Sequence, residues 1–180
     1  VVAIGLSGMD GGLLRGPRKD VLRIVENGRM RLLRGNHSGN VEQVNDGLLR
    51  TLMSRGLVPV IAPLALSWDD RVINVDGDRV AAAVAWSLSA SDLVMLSDVS
   101  GLTEGTGGPL VRSGHLAELD ERLMPMASGR MRVKLLAAAA ALSRGVGRVA
   151  IASALAPAPV TAALSGGGTQ LVSGDVDGAG

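Results

Sequence analysis

The 180-residue chain contains no cysteine, no tyrosine and no phenylalanine, and it has only two tryptophans. Without cysteine, the chain can form no disulfide, no thiolate nucleophile and no Cys-ligated metal site. Because aromatic side chains are so scarce, it also lacks the stacking platforms on which proteins bind single-stranded nucleic acid. We therefore expect a core of Leu, Val, Ile, Ala and Met, and no nucleic-acid partner.

Histidines and long apolar runs are scarce as well. His37 and His115 lie far apart in the sequence and form no metal-ligand spacing, so we predict no metal site built from protein ligands. The longest apolar runs, such as residues 135–142, are much shorter than the ~20 residues that a membrane span needs. No signal-peptide pattern opens the chain. We expect a cytoplasmic protein with no membrane partner.

The net charge of +1 is unevenly spread along the chain. Residues 15–34 hold seven basic residues against two acidic ones, a net charge of +5, which leaves −4 for the other residues. One interpretation is a solvated hairpin. The other is a docking face for an acidic partner, in which charge steers the encounter. Taken by itself, this segment leaves both interpretations open.

Hydrophobic patterning predicts an α/β fold. Short apolar runs predict strands at residues 1–4, 57–62, 93–96, 148–152 and 169–172, the first of them buried. Helical spacing or an alanine-rich run predicts helices at residues 41–54, 80–88, 131–144 and 159–164. The Asn27-Gly28 pair predicts a β-hairpin between residues 21–26 and 29–34. We predict a three-layer αβα sandwich with a mainly parallel sheet over residues 1–173, followed by a flexible tail at 174–180.

Polar residues cluster where the predicted strands end, which is where α/β folds bind ligands. Residues 74–78 (NVDGD) precede a helix, and Asp76 is a suitable cap for its free amides. Asn74 and Asp78 are then additional polar groups that indicate a ligand. The loop at residues 97–101 is either an ordinary turn or a nucleotide loop. Lys134, one of only two lysines, is either a surface residue or a required compact ammonium.

Five motifs occur in the order and rough spacing of the amino acid kinase family: residues 5–12 (GLSGMDGG), 59–63 (PVIAP), 73–78 (INVDGD), 96–102 (LSDVSGL) and 129–134 (GRMRVK). Over residues 1–172 the chain resembles the acetylglutamate kinase branch. Residues 34–45 (RGNHSGNVEQVN), with 15–19 and 26–29, are similar to the signature of a subgroup acting on aminoadipate in lysine biosynthesis. In that subgroup the substrate is attached to a small acidic amino-group carrier protein, which gives the basic hairpin a candidate partner.

The resemblance implies transfer of the γ-phosphoryl group of ATP, accompanied by Mg²⁺, to a side-chain carboxylate, giving an acyl phosphate. It implies that Asp78 organises the catalytic lysines and that Lys134 neutralises charge near the transferred group. It assigns substrate binding to Asn74, Ser7 and Gly8. The nucleotide-binding residues it implies are Ser97, Asp98, Val99, Ser100, Gly101, Leu102, Gly129 and Met131. The carrier-docking residues it implies are Arg15, Arg18, Arg29, Arg31, Arg34 and Asn36.

Two alternatives stay open beside this function. One is an acetylglutamate kinase of arginine biosynthesis, although Met9 stands where those enzymes commonly carry lysine. The other is a fragment that only binds nucleotide or carrier. Family members begin with a strand, a glycine-rich phosphate loop, a first catalytic lysine and a dimer-forming helix, and none of these precedes Val1. We therefore expect an N-terminally truncated form of the fold, and a homodimer when full length.

Overall fold

The computed structural model describes residues 1–19, 21–26, 29–34, 37–105 and 107–174. Its strands are β1 (Val2–Ser7), β2 (Leu14–Gly16), β3 (Val21–Glu26), β4 (Arg29–Arg34), β5 (Gln43–Val44), β6 (Leu57–Ala62), β7 (Leu64–Ser67), β8 (Val72–Asn74), β9 (Asp92–Ser97), β10 (Ser113–His115), β11 (Arg148–Ser153) and β12 (Thr169–Val172). Its α-helices are α1 (Asp46–Ser54), α2 (Gly77–Ser87), α3 (Met124–Met126), α4 (Gly129–Leu142) and α5 (Pro159–Leu164). None of these helices is both long and apolar enough to cross a bilayer.

The chain divides into two compact units, Val1–Val84 and Ala85–Gly180. The first unit contains a parallel β1–β6 pair, a mixed sheet in the order β5-β2-β7-β8, and the antiparallel β3–β4 hairpin. The second unit contains one four-stranded sheet in the order β10-β12-β11-β9. The α/β fold class and the hairpin are confirmed. The boundaries predicted for a kinase domain over residues 1–173 stay a prediction, and residues 175–180 of the predicted tail lie outside the described part.

The first strand does not have the burial that its apolar sequence predicts. Val2 is 63% exposed, and on β6 the side chains of Val58 (47%) and Val60 (57%) are exposed while Leu57, Pro59 and Ile61 are half-buried. Helix α1 contacts β6, and alternate strand residues point to opposite faces of a sheet. One face of the β1–β6 pair therefore packs on α1, and the other is open within this unit. The prediction of a buried first strand is wrong.

The helix predicted from residue 41 begins only at Asp46. Before it, Gln43–Val44 pairs antiparallel with Leu14 and Arg15, and the backbone N–H of Glu42 donates to the Arg15 carbonyl at 2.9 Å. Asn45 then caps the helix, because its side-chain Oδ1 accepts a hydrogen bond from the Leu48 N–H at 3.2 Å. The apolar residues at 41 and 44 precede the helix because this long-range pairing holds the backbone extended.

The second unit has the continuous core of a sheet that is covered on both faces. Strand β11 lies between β9 and β12, and Val149 to Ala152 are all buried. Helices α4 and α5 both contact β11. Such uninterrupted burial is typical of a central strand in an α/β sheet. The alanine-rich sequence of α4 suits this packing because small side chains let a helix approach a sheet closely.

Candidate active site

Each unit contains a pair of parallel strands whose carboxyl ends coincide. In the first unit Ser7 of β1 lies beside Ala62 of β6, and in the second Ser97 of β9 lies beside Ser153 of β11. Ligands of α/β proteins bind beyond the carboxyl ends of strands. Ser7 and Gly8, two of the predicted substrate residues, therefore lie at one such end, and the predicted nucleotide loop follows the other.

The loop after β1 is held together by Asp10. Its Oδ2 accepts hydrogen bonds from the Ser7 backbone N–H at 2.6 Å and from the Ser7 hydroxyl at 2.9 Å. The Ser7 hydroxyl oxygen in turn accepts a hydrogen bond from the Met9 N–H at 3.3 Å. The hydrogen bond from the Ser7 backbone, followed by that from its hydroxyl, lowers the pKa of the Asp10 carboxyl. Asp10 thus fixes the turn in which Ser7 and Gly8 lie.

Gly8 packs against β7, the strand that pairs with β8 and its residue Asn74. A Cβ atom built on Gly8 would come within 1.9 Å of the Leu64 carbonyl oxygen, so no other residue fits there without a shift of the backbone. Leu64 is the partner of Asn74 in the antiparallel β7–β8 pair. The structure therefore brings Gly8 and Asn74, two predicted substrate residues, against the same residue.

Residues 74–78 contain three polar side chains at the start of α2, and the structure identifies one of them as the helix cap. The Asp76 Oδ1 accepts a hydrogen bond from the Arg79 N–H at 3.1 Å, which makes Asp76 the helix cap. Asn74 is exposed at the end of β8, and Asp78 is half-buried in the first turn of α2. Asn74 and Asp78 are thus two further polar residues beside the capping residue. The positive end of the helix dipole also favours a carboxylate at Asp78.

Residues 37–39 are the second neighbour of Asn74, a contact that the sequence did not indicate. The Asn74 N–H donates to the His37 carbonyl at 2.6 Å, and the Gly39 N–H donates to the Asn74 carbonyl at 3.0 Å. Ser38 is therefore paired directly with Asn74. The sequence signal for this contact is the motif at residues 34–45, which indicates a subgroup of the family but not which residues it lies beside.

The loop after β9 has an exposed part and an anchored part. Asp98, Val99 and Ser100 are exposed. Leu102 is buried, and its N–H donates to the hydroxyl of the buried Thr169 at 2.9 Å. Gly101 has a φ of +148°, and a Cβ there would come within 2.6 Å of the Thr169 hydroxyl. Asp98 to Ser100 therefore form the exposed part of the loop, while Gly101 and Leu102 anchor it.

The first turn of α4 has a positive electrostatic character. It contains no acidic residue, and Arg130 and Arg132 are both exposed there. Positive side chains at the positive end of a helix dipole repel it, and a bound anion would relieve that repulsion. Lys134 follows in the same helix and is half-buried. Asp78 lies in the first unit and Lys134 in the second.

The predicted docking residues are only partly described. The Arg15 guanidinium pairs with the Asp70 carboxylate at 2.7 Å, and the backbone of Arg18 is paired with Gly39. In the β3–β4 hairpin, the backbones of Arg29, Arg31 and Arg34 pair with Glu26, Ile24 and Val21 respectively. Asn36 lies outside the described residues. Among the residues that are described, no group of three or more His, Asp or Glu side chains could hold a metal ion.

Comparison with known proteins identifies the family. The model of the amino acid kinase family matches residues 3–153. The chain is 45% identical over 171 residues to the LysW-aminoadipate kinase of Deinococcus radiodurans, covering 94% of this chain and 58% of that protein. It is 43% identical over 170 residues to the LysW-aminoadipate kinase of Thermus thermophilus, covering 93% and 63%. The chain thus spans about three fifths of the length of these curated relatives.

A solved structure agrees with this match. The N-acetylglutamate synthase from Neisseria gonorrhoeae, complexed with coenzyme A and N-acetyl-glutamate, superposes with a TM-score of 0.76 at 25% identity. The similarity covers 97% of this chain and 38% of that one. Because the family model covers most of the chain, and the predicted site residues from Ser7 to Lys134 fall inside the matched range, the chain belongs to the amino acid kinase family.

Proposed function

We propose that the protein is an ATP-dependent kinase that phosphorylates the side-chain carboxylate of 2-aminoadipate attached to an acidic amino-group carrier protein, a step of lysine biosynthesis. The observation that carries the proposal is the division of roles at residues 74–78. Asp76 caps α2, and we assign Asn74 and Asp78, the two polar residues that flank this cap, to the substrate and the phosphoryl group. The names of the two relatives support the substrate and the carrier.

The first unit supplies the substrate side of the proposed reaction. Asn74 binds the α-carbon end of aminoadipate through its exposed amide. Ser7 and Gly8 contribute the turn that Asp10 holds in place. The close approach of Gly8 to Leu64 favours a binding role for its backbone, because the site tolerates no side chain there. Asp78, in the first turn of α2, is the carboxylate to which the resemblance gives an organising role at the phosphoryl group.

The second unit supplies the nucleotide side. Asp98, Val99 and Ser100 contact the nucleotide, and Ser97, Gly101 and Leu102 hold their loop. Gly129 and Met131 contact it from the first turn of α4, where the dipole and Arg130 suit a polyphosphate. Lys134 neutralises charge on the transferring phosphoryl group.

The Mg²⁺ that accompanies ATP fits this set of residues only as an ion carried by the nucleotide. Mg²⁺ commonly keeps several waters and binds substrate phosphates with one or two carboxylates, rather than an all-protein cage. The absence of a cluster of three metal-ligating side chains among the described residues is compatible with that mode. The ion would supply neutralising charge on the phosphates, and we assign no residue of this chain to it.

The reaction needs no covalent enzyme intermediate and no proton transfer. A carboxylate oxygen of the substrate forms a bond to the γ-phosphorus, and the bond from that phosphorus to the β,γ-bridging oxygen breaks. The products are an acyl phosphate and ADP. Catalysis of such a transfer consists of positioning and charge neutralisation, which are the roles given to Asn74, Asp78 and Lys134.

An acyl phosphate trap tests the proposal directly. The chain is incubated with Mg-ATP, hydroxylamine and either carrier-linked aminoadipate, free aminoadipate or N-acetylglutamate. We expect hydroxamate only with the carrier-linked substrate. Hydroxamate from N-acetylglutamate alone would instead indicate an acetylglutamate kinase. Calorimetric ATP binding without any hydroxamate would indicate a fragment that only binds its ligands.

Asp78 and Asp76 form a matched pair for the assigned roles. Asp78→Asn is expected to lower turnover by about 10²-fold or more, as loss of a preorganised electrostatic group typically does, with little change in ATP affinity. Asp76→Asn removes a carboxylate two residues away but keeps a good helix cap. It should leave turnover near that of the wild type. Equal effects of the two substitutions would contradict the role of Asp78.

The carrier-docking part of the proposal has its own test. Replacing Arg29 and Arg31 with Gln should weaken carrier binding and flatten its dependence on salt, because fewer charges are screened. The control variant replaces the exposed Arg55 and Arg112, which removes the same charge outside the hairpin. If both double variants show the salt dependence of the wild type, the hairpin is ordinary surface.

A further inference from the structure

We infer that Ser38 is a specificity-determining residue of the substrate site, where its hydroxyl binds the carrier-linked substrate beside Asn74. This inference rests on the proposed function and adds a residue that the sequence motifs did not assign. Two backbone hydrogen bonds carry it, from Asn74 N–H to the His37 carbonyl (2.6 Å) and from Gly39 N–H to the Asn74 carbonyl (3.0 Å). They pair Ser38 directly with Asn74.

Direct pairing places the two side chains on the same face. Ser38 and Asn74 form a parallel bridge, and paired residues of neighbouring strands, which lie about 4.8 Å apart, project to one side of the sheet. The Asn74 amide is exposed, and Ser38 is half-buried. A ligand group held by the amide would therefore lie within reach of the hydroxyl. A hydroxyl has one donor and two acceptor lone pairs, so it can bind a ligand in addition to a protein partner.

The backbone on both sides of Ser38 is held firmly. The Ser38 carbonyl accepts a hydrogen bond from Lys19 N–H at 2.8 Å, and the Pro17 carbonyl accepts one from Asn40 N–H at 3.1 Å. A Cβ on Gly39 would come within 2.4 Å of Ile73 Cδ1 and 2.6 Å of the Pro17 carbonyl oxygen. The segment is thus wedged between residues 17–19 and β8. A residue held this way is preorganised to contact a ligand.

The same segment connects the other parts of the proposed site within the first unit. Arg34, the last residue of β4, precedes Ser38 by only four positions. Beyond Ser38, the Asn40 Oδ1 accepts a hydrogen bond from Arg79 Nη1 at 3.0 Å, next to Asp78 in α2. Residues 38–40 therefore connect Asn74 with the first turn of α2, and in the sequence they lie close to the end of the proposed carrier-docking hairpin. We expect a substrate tethered to the docked carrier to reach Ser38.

Steady-state kinetics of two Ser38 variants test this inference. Ser38→Val removes the hydroxyl, and Ser38→Thr keeps it on a side chain of the same shape as Val. Loss of one hydrogen bond should raise the KM for carrier-linked aminoadipate in Ser38→Val by roughly 3- to 10-fold, with the KM for ATP unchanged. Ser38→Thr should restore most of the loss. Calorimetry with carrier-linked aminoadipate and no nucleotide should show the same order of affinities.

Thr51→Val is the matched control, since the Thr51 hydroxyl donates to the Gly47 carbonyl within α1 at 2.8 Å. It should leave both KM values unchanged. Equal KM values for Ser38→Val and the wild type would overturn the inference while leaving the kinase proposal intact. So would a Ser38→Thr variant as impaired as Ser38→Val, because the defect would then be one of shape. A wild-type chain that phosphorylates no carrier-linked carboxylate would refute the proposed function itself.

Discussion

The two units of the chain contrast in how their parallel strands are covered. In the second unit, β11 is buried at four consecutive positions and packs against α4 and α5. In the first unit, β6 alternates between half-buried and exposed residues, and α1 covers only one face. The parallel strands of the second unit are therefore part of its apolar core. In the first unit the core is formed by other residues, such as Leu13, Leu49 and Ile73, and one face of the β1–β6 pair is left out of it.

The two tryptophans place one fluorophore in each unit. Trp68 lies in the first unit, and Trp86 lies in the second, where the Arg144 guanidinium stacks 4.0 Å from its ring centroid. Trp68→Phe leaves Trp86 as the single fluorophore, which reports on the second unit. Trp86→Phe leaves Trp68, which reports on the first unit. The following predictions use urea denaturation of such single-tryptophan variants.

The largest effect is expected in the core of the second unit. Ile151 is completely buried in β11, and Ile151→Ala leaves a cavity as well as removing apolar contacts. The free energy of unfolding followed by Trp86 should fall by about 2–5 kcal/mol. Val60→Ala, at an exposed position of β6, serves as the control in the first unit. A loss below about 1 kcal/mol in Ile151→Ala would mean that the two units are not packed as differently as their burial indicates.

The next effect concerns a close approach in the first unit. Gly8→Ala forces a Cβ toward the Leu64 carbonyl oxygen, so we expect a loss of about 1–3 kcal/mol in the transition followed by Trp68. Gly5→Ala is a matched control in the same strand region, because nothing lies within 4 Å of its added Cβ. Its effect should stay within about 0.5 kcal/mol. Equal losses would show that the Gly8 contact is easily relieved.

A smaller effect depends on pH and again belongs to the second unit. The Arg148 Nε donates to Asp92 Oδ1 at 2.7 Å, and this hydrogen bond lowers the pKa of the Asp92 carboxyl. A carboxyl whose pKa is lowered on folding stabilises the protein above its unfolded pKa of about 4 and loses that contribution as the pH falls. Asp92→Asn should therefore lower the urea midpoint at pH 7 and flatten its decline in acid.

Arg148→Gln should produce the same flattening, since it removes the partner of the carboxylate. If Asp92→Asn declines in acid as steeply as the wild type, then other carboxylates determine the acid stability of this unit. The measurement is the urea midpoint of the Trp86 transition between pH 3 and pH 7.

The smallest effect is expected on the open face of the first unit. Val60→Thr exchanges a methyl for a hydroxyl at an exposed position, so the unfolding free energy should change by less than about 0.5 kcal/mol. Val149→Thr, the same exchange at a buried position of β11, should cost about 1–3 kcal/mol. A similar cost at Val60 would show that this face is covered in solution.

Much of the fold was predictable because its signals are local. The Asn27-Gly28 pair predicted the register-matched β3–β4 hairpin, and the alanine-rich run predicted α4. The Asp76 cap of α2 was predicted as well, since a cap involves only neighbouring residues. The late start of α1 was not predictable, because it depends on pairing between Gln43–Val44 and β2, about thirty residues earlier in the chain.

The same distinction between local signals and long-range pairing holds for the candidate site. Asn74 and Asp78 stood out from the sequence alone, because a helix start needs only one of its neighbouring polar side chains as a cap. Ser38 did not stand out, because its position opposite Asn74 is created by hydrogen bonds across 36 residues of chain. Likewise, no local pattern indicates that Gly8 lies against the Leu64 carbonyl.

The sequence by itself determined the α/β class, the family and the identity of most candidate site residues, because periodicity, capping and motif order are written in neighbouring positions. Only the tertiary structure decided which strands are open, where α1 begins and which residues flank Asn74. These features depend on backbone hydrogen bonds and steric contacts between distant segments, and such pairings have no signature within either segment alone.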